Sequence, residues 1–135
     1  MKKEIQRFED IIGWQKGRAL VKTVYEATYE EQFKRDFALR DQIRRASISI
    51  SSNIAEGFDR GSLRAFHHFL SISQGSCAEV RTQLYLALDL GYIDDSKFTT
   101  LFRDAEEVGR VIGGLRASVE RRLAETEHSA LSTRH

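Results

Sequence analysis

Five arginines, Arg40, Arg44, Arg45, Arg60 and Arg64, are the side chains of this sequence best suited to gripping an anion. Arg40 and Arg44 are four residues apart, so a helix would put them on one face. Such a set can contact phosphates of RNA or DNA, which needs charge and reach rather than a particular fold. Asp36, Asp41, Glu56 and Asp59 are interspersed with it, so pairing within or between subunits is the competing reading. Asn53 and Glu56 follow at i and i+3 and lead to Gly57, and the set reads as a structural network fixing a turn. One carboxylate with no nucleophile and no second placed acid is poor catalytic machinery. His67 and His68 are adjacent and diverge by about 100° on a helix, which matches no metal-ligand spacing. Cys77 has no His partner on the same helical face and reads as a small buried hydrophobe. Glycine-rich phosphate loops, thiolate clusters and nucleotide-binding fingerprints are absent from the sequence. No cofactor, metal site or catalytic residue is therefore expected, and the protein reads as a non-enzyme. An active site assembled across subunits from Glu56 and a histidine is the remote alternative.

The elements that must position these residues are helices. Ile11, Trp14, Val21 and Tyr25 form an apolar stripe on a helix expected over 10–29, widened by Leu20, Val24 and Ala27. The polar stretch 30–34 interrupts the pattern. Asp36 is placed to cap a second helix with core residues Leu39, Ile43, Ala46, Ile50 and Ile54. Ser47-Ile48-Ser49-Ile50-Ser51 alternates with the period of a strand, yet the helical repeat begins before it and continues past it, so helix is preferred. Gly57 is expected to end this helix in a left-handed conformation. Ser62 caps a third, whose inner face reads Phe66, Leu70, Ser73, Cys77, Val80, Leu84 and Ala87. Asp94 or Asp95 caps a fourth, with Phe98, Leu101, Ala105, Val108, Ile112, Leu115 and Val119 at spacings of three and four. Short connections favour antiparallel neighbours. The expected fold is all-α, an antiparallel up-down-up-down four-helix bundle over residues 1–124, followed by a polar, disordered tail over 125–135.

Composition agrees with one such domain. The chain has 135 residues, 41% hydrophobic and 30% charged, with no proline, which long helices have little use for. The net charge of +1 leaves any electrostatic site to local clustering. A single cysteine excludes an intrachain disulfide and, with no signal-peptide run and no stretch of roughly 20 apolar residues, points to the cytoplasm rather than a membrane.

Ile48, Phe69, Ile72, Leu86 and Leu90 cannot all face inward with the main stripes. A monomer would expose them, whereas a closed homo-oligomer would bury them. Several short motifs also carry a resemblance. They are Phe8-Glu9-Asp10 with Trp14-Gln15, then Gln42 to Ala46, Ser52-Asn53-Ile54-Ala55-Glu56-Gly57, Phe69-Leu70, Gly75-Ser76 and Leu86 to Tyr92. Over about Phe8 to Leu115 the chain resembles the 23S rRNA intervening-sequence proteins. It departs from their pattern at Cys77 and in a shortened acidic link around 30–36. The resemblance implies a helical bundle that closes into a ring, typically a pentamer, with no assigned enzymatic activity. It also implies a genomic link to insertions in ribosomal RNA genes and, in distant relatives, nucleic-acid binding beside a reverse transcriptase. The sequence thus supports a non-enzymatic homo-oligomeric interaction or scaffold protein, with RNA or DNA binding through arginine patches arrayed on a ring as the alternative.

Overall fold

The computed structural model describes residues 4–132. A 3-10 turn (Phe8–Asp10) leads into α1 (Ile12–Thr28), α2 (Glu31–Arg35), α3 (Phe37–Asp59), α4 (Leu63–Asp89) and α5 (Asp95–Ser132), with no strand among the described residues. The four long helices surround one core in the cyclic order α1, α3, α4, α5. Each neighbouring pair runs antiparallel. Gly17 meets Ser51 while Thr28 meets Arg44, Ser73 meets Ile50 while Gly57 meets Phe66, Gly109 meets Cys77 while His67 meets Glu120, and Gly13 meets Ile112 while Lys16 meets Glu107. This is the expected up-down-up-down bundle.

Side-chain caps start three of the helices. Asp36 Oδ1 accepts from the Leu39 amide at 3.1 Å, Ser62 Oγ from Ala65 at 3.1 Å, and Asp94 Oδ1 from Lys97 at 2.8 Å. Gly57 does not end α3. It is buried inside that helix, where an added Cβ would lie 2.6 Å from Phe69 Cβ, so it serves close approach rather than a turn. The left-handed residue after α3 is Gly61, at φ 79°.

The serines of α3 explain how an alternating sequence makes a helix. Ser51 Oγ donates to the Trp14 carbonyl at 2.9 Å, across to α1. Ser49 and Ser76 share a 2.9 Å hydrogen bond toward α4, and Ser73 Oγ returns one to the Ile50 carbonyl at 2.7 Å. Small hydroxyls let backbones approach and then satisfy polar groups in the seam. Ile43, Ile50 and Ile54 supply the fully buried apolar line. Burying such a side chain contributes about 1.5–3 kcal/mol, against about 0.5–1.5 kcal/mol net for a hydrogen bond. Packing therefore holds the bundle, and the hydroxyls set its register.

The structure differs from the sequence pattern in three further places. On α1 the buried line is Gly13, Gly17, Leu20, Val24 and Ala27, while Trp14, Val21 and Tyr25 are only half-buried at its sides. Glycines carry no hydropathy signal, which shifted the apparent stripe. The 30–34 stretch holds Phe33, fully buried at 0% exposure, on the short α2. Its ring lies 5.3 Å from that of Tyr92, whose hydroxyl donates to Asp36 Oδ2 at 2.9 Å and closes that end of the bundle. Finally, α5 continues through Ser132, with residues 124–131 all exposed, where the sequence predicts a disordered tail. Residues 133–135 of that tail, and 1–3 at the start, lie outside the described residues.

Candidate functional site

The five arginines do not converge. Arg44 on α3 and Arg60, which follows the end of that helix, lie sixteen residues apart, about 24 Å along the helix axis. Arg40 Nε is 2.9 Å from Asp41, its Nη1 donates to the Lys34 carbonyl at 3.2 Å, and its guanidinium lies 4.8 Å from the Phe37 ring centre. Arg44 Nε donates to Thr28 Oγ1 at 2.8 Å, and its guanidinium packs over Tyr25 at 4.4 Å and Tyr29 at 5.1 Å. It thus fastens the start of α3 to the end of α1. Arg45 is exposed and forms no ion pair among the described residues, beside a shallow groove lined by Tyr25, Asp41, Arg44 and Ile48. At the other end Arg60 pairs with Glu56 at 2.9 Å and lies over Phe69 at 5.2 Å. Arg64 meets Glu127 at 3.2 Å, both largely solvated, an arrangement worth little.

Asn53, Glu56 and Gly57 do not form one network either. Asn53 Nδ2 donates to the Ser49 carbonyl and hydroxyl, both at 2.8 Å, so it extends the serine seam. Glu56 points to solvent with Arg60, and Gly57 admits Phe69.

The apolar surplus is on the surface. Ile48, Ile72, Leu86 and Leu90 are 43%, 40%, 46% and 56% exposed, whereas Phe69 is half-buried against Gly57 and Arg60. Ile72, Leu86 and Leu90 share the outer side of α4. Leu86 joins Leu39, Gln42, Ala78, Glu79, Thr82 and Gln83 around a groove between α3 and α4. The Gln83 Oε1 atom there is buried without a hydrogen-bond partner. Ile48 faces a different groove, between α1 and α3.

A further groove, between α4 and α5, escaped the sequence reading. Gln74, Cys77, Arg81, Glu106, Gly109, Arg110 and Gly113 line a cavity of about 260 Å³. Arg81 Nε is buried there with no acceptor, and neither Arg81 nor Arg110 forms an ion pair among the described residues. One end continues into rings. Tyr85 is 51% exposed and lies 5.0 Å from Phe98 and 5.2 Å from Phe102, which stack at 5.2 Å. The other end holds His67, whose Nε2 is 2.8 Å from Glu120 and 3.4 Å from Arg116 Nε. That nitrogen cannot donate to the carboxylate and accept from the guanidinium at once. The shorter contact is the bond, and the His67 hydrogen bond holds the Glu120 carboxyl below the usual carboxylate range. Arg116 Nη1 donates to Gln74 Oε1 at 3.1 Å. Cys77 forms the floor, and burial pushes its thiol up to about 11, outweighing the pull of Arg81, so it is no nucleophile at neutral pH. The signal for this groove was the four-residue ladder Cys77, Arg81, Tyr85 facing the ladder Phe98, Phe102, Glu106, Arg110.

Among the described residues no group of three or more His, Cys, Asp or Glu could hold a metal, and no helix is long and apolar enough to cross a membrane. The molecule is a small helical bundle whose chemistry-bearing residues lie in surface grooves rather than around one reacting centre. Residues 9–114 match the model of the 23S rRNA-intervening sequence protein family, and the chain belongs to that family. It is similar in fold to a crystal structure from Bacteroides thetaiotaomicron VPI-5482, a protein of unknown function from the S23 ribosomal protein family. The two share 22% identity and a TM-score of 0.72 over 78% of this chain and 98% of that one. No curated protein matches the chain.

Proposed function

We propose that this protein is a non-enzymatic interaction module that works as a closed homo-oligomer, with a pentameric ring as the expected form. The observation that carries this reading is the exposure of Ile48 on one face and of Ile72, Leu86 and Leu90 on another. Exposed apolar side chains on two sides of one subunit suit a head-to-tail ring, in which one side of each copy meets the other side of the next. Light scattering coupled to gel filtration tests the proposal. The wild type should run as one discrete multimer, and Ile72→Glu with Leu86→Glu should run as a monomer of unchanged helicity. A wild type that stays monomeric at micromolar concentration would refute it.

RNA or DNA binding through the five arginines is the second reading, and exposed Arg45 is the observation in its favour. Repetition around a ring would let weak patches act together. On that reading, Arg45→Glu should abolish salt-sensitive RNA binding at low salt, and unchanged binding would remove it.

A further inference from the structure

We propose that the α4/α5 groove binds a nucleoside phosphate, its phosphate held between Arg81 and Arg110 and its base stacked on the Tyr85, Phe98 and Phe102 rings. This site is separate from the α3 arginines and lies on the opposite side of α4 from the apolar face invoked for self-association.

Three observations converge. Arg81 lines the cavity and forms no ion pair among the described residues; its Nε is sealed from solvent, so a ligand meets the outer nitrogens of the guanidinium, and a half-buried charge without a counter-ion is costly unless something completes it. Arg110 lines the same cavity from the facing helix and forms no ion pair among the described residues, although its charge acts on Glu107, which is itself paired with Lys16, so two arginines line one space. One helical turn from Arg81, Tyr85 presents a half-exposed ring backed by two phenylalanines. A helical turn is about 5.4 Å, comparable to the reach from a base across its sugar to the phosphate. Opposite, Gly109 leaves only ordinary contact with Cys77 on the floor, while Gly113 makes room for the Gln74 side chain.

The charge balance selects the ligand. Glu106 shares the lining and offsets one arginine. Glu120 is taken up by His67, with Arg116 at 3.7 Å. Charge alone is therefore modest, and inorganic phosphate should bind poorly. A ligand that combines a phosphate with a flat ring uses both halves of the groove. Stacking is tolerant of base identity and requires an unpaired base, so a single strand or a free nucleotide fits and a duplex does not.

The test uses the full chain with a short labelled oligouridine, the same sequence as a duplex, and UMP as competitor, at about 50 mM and 200 mM salt. Expected are binding of the single strand and the mononucleotide in preference to duplex and inorganic phosphate. Tyr85→Ala should weaken binding roughly tenfold. Arg110→Gln should weaken it and lower the logarithmic salt slope by about 0.7. Both positions are exposed, so these variants should keep their helicity, whereas half-buried Arg81→Gln is interpreted only with its circular dichroism. Affinity that rises with oligouridine length identifies the natural ligand as a strand, and UMP binding as tightly as the oligomer identifies a free nucleotide. No binding at low salt, equal affinity for duplex, or Tyr85→Ala and Arg110→Gln both within about twofold of wild type would each overturn the proposal. UMP binding retained in Ile72→Glu with Leu86→Glu would support it independently of the oligomer.

Discussion

Replacing Gly17 by alanine tests whether close backbone approach organises the α1/α3 seam. The new Cβ would run into Ser51 Oγ and lie 3.1 Å from Ile50 Cγ2. Ser51 would have to rotate away and release the Trp14 carbonyl, which its Oγ reaches at 2.9 Å. Overpacking costs about 1–3 kcal/mol and the lost hydrogen bond about 1 kcal/mol. The better helix propensity of alanine returns about 1 kcal/mol. The net destabilisation should be about 1–3 kcal/mol, a fall in Tm of about 3–5 °C per kcal/mol for a chain of this size. Ser51→Ala alone should cost only about 0.5 kcal/mol, because the alanine regains some propensity. The informative variant is the double mutant. With Ser51 Oγ gone, the nearest atom on residue 51 is its Cβ at 3.6 Å, an ordinary contact. The pair should therefore be more stable than Gly17→Ala alone, with a coupling of about 1–2 kcal/mol. Urea and thermal unfolding followed by circular dichroism measure all four corners, at one fixed protein concentration because self-association would shift Tm. A Gly17→Ala protein within about 0.5 kcal/mol of wild type, or a double mutant that shows simple additivity, would refute the reasoning.

Two further outcomes follow from other features. Gly114 lies in the middle of α5, its φ is not positive, and a Cβ added there would meet nothing within 4 Å. Gly114→Ala should therefore raise stability by about 0.5–1 kcal/mol, and a loss in urea unfolding would contradict the open geometry. The Leu39 amide and the Tyr92 hydroxyl hold the Asp36 carboxyl below its ordinary 3.8. Because the folded value is the lower one, the stabilisation is complete above about pH 4 and fades as pH falls through the folded value. Asp36→Asn should therefore flatten part of the acid limb of Tm against pH while lowering Tm at neutral pH, and an unchanged acid limb would count against the Asp36–Tyr92 tie.

The sequence made the bundle legible because its strongest signals are local. Asp36, Ser62 and Asp94 cap as their types and positions suggest. The inner faces of α4 and α5 follow the spacings of three and four, with Phe98 and Leu115 only half-buried. What was not legible depended on tertiary neighbours. Phe33 lacks an apolar repeat around it and is buried because Tyr92, from a distant turn, stacks over it. Gly57 has the composition of a helix stop, but Phe69 on α4 gives it a packing role. The arginines illustrate the same limit for function. Their nearness in sequence suggested a patch, yet Arg44 is occupied by Tyr25, Tyr29 and Thr28 of another helix. Arg81 and Arg110 are 29 positions apart and share a cavity only because α4 and α5 run antiparallel.

The Asp36–Tyr92 tie makes the two poles of the bundle unequal. At that pole, the α1-to-α3 connection that contains α2 and the α4–α5 turn are stapled together by Phe33, Tyr92 and a carboxylate. At the opposite pole the α3–α4 connection is only Arg60 to Ser62, and α5 runs on past the Arg64–Glu127 contact with exposed residues. Amide protons should therefore exchange with solvent from the projecting pole inward, and limited proteolysis should shorten α5 there before it cuts anywhere near Tyr92.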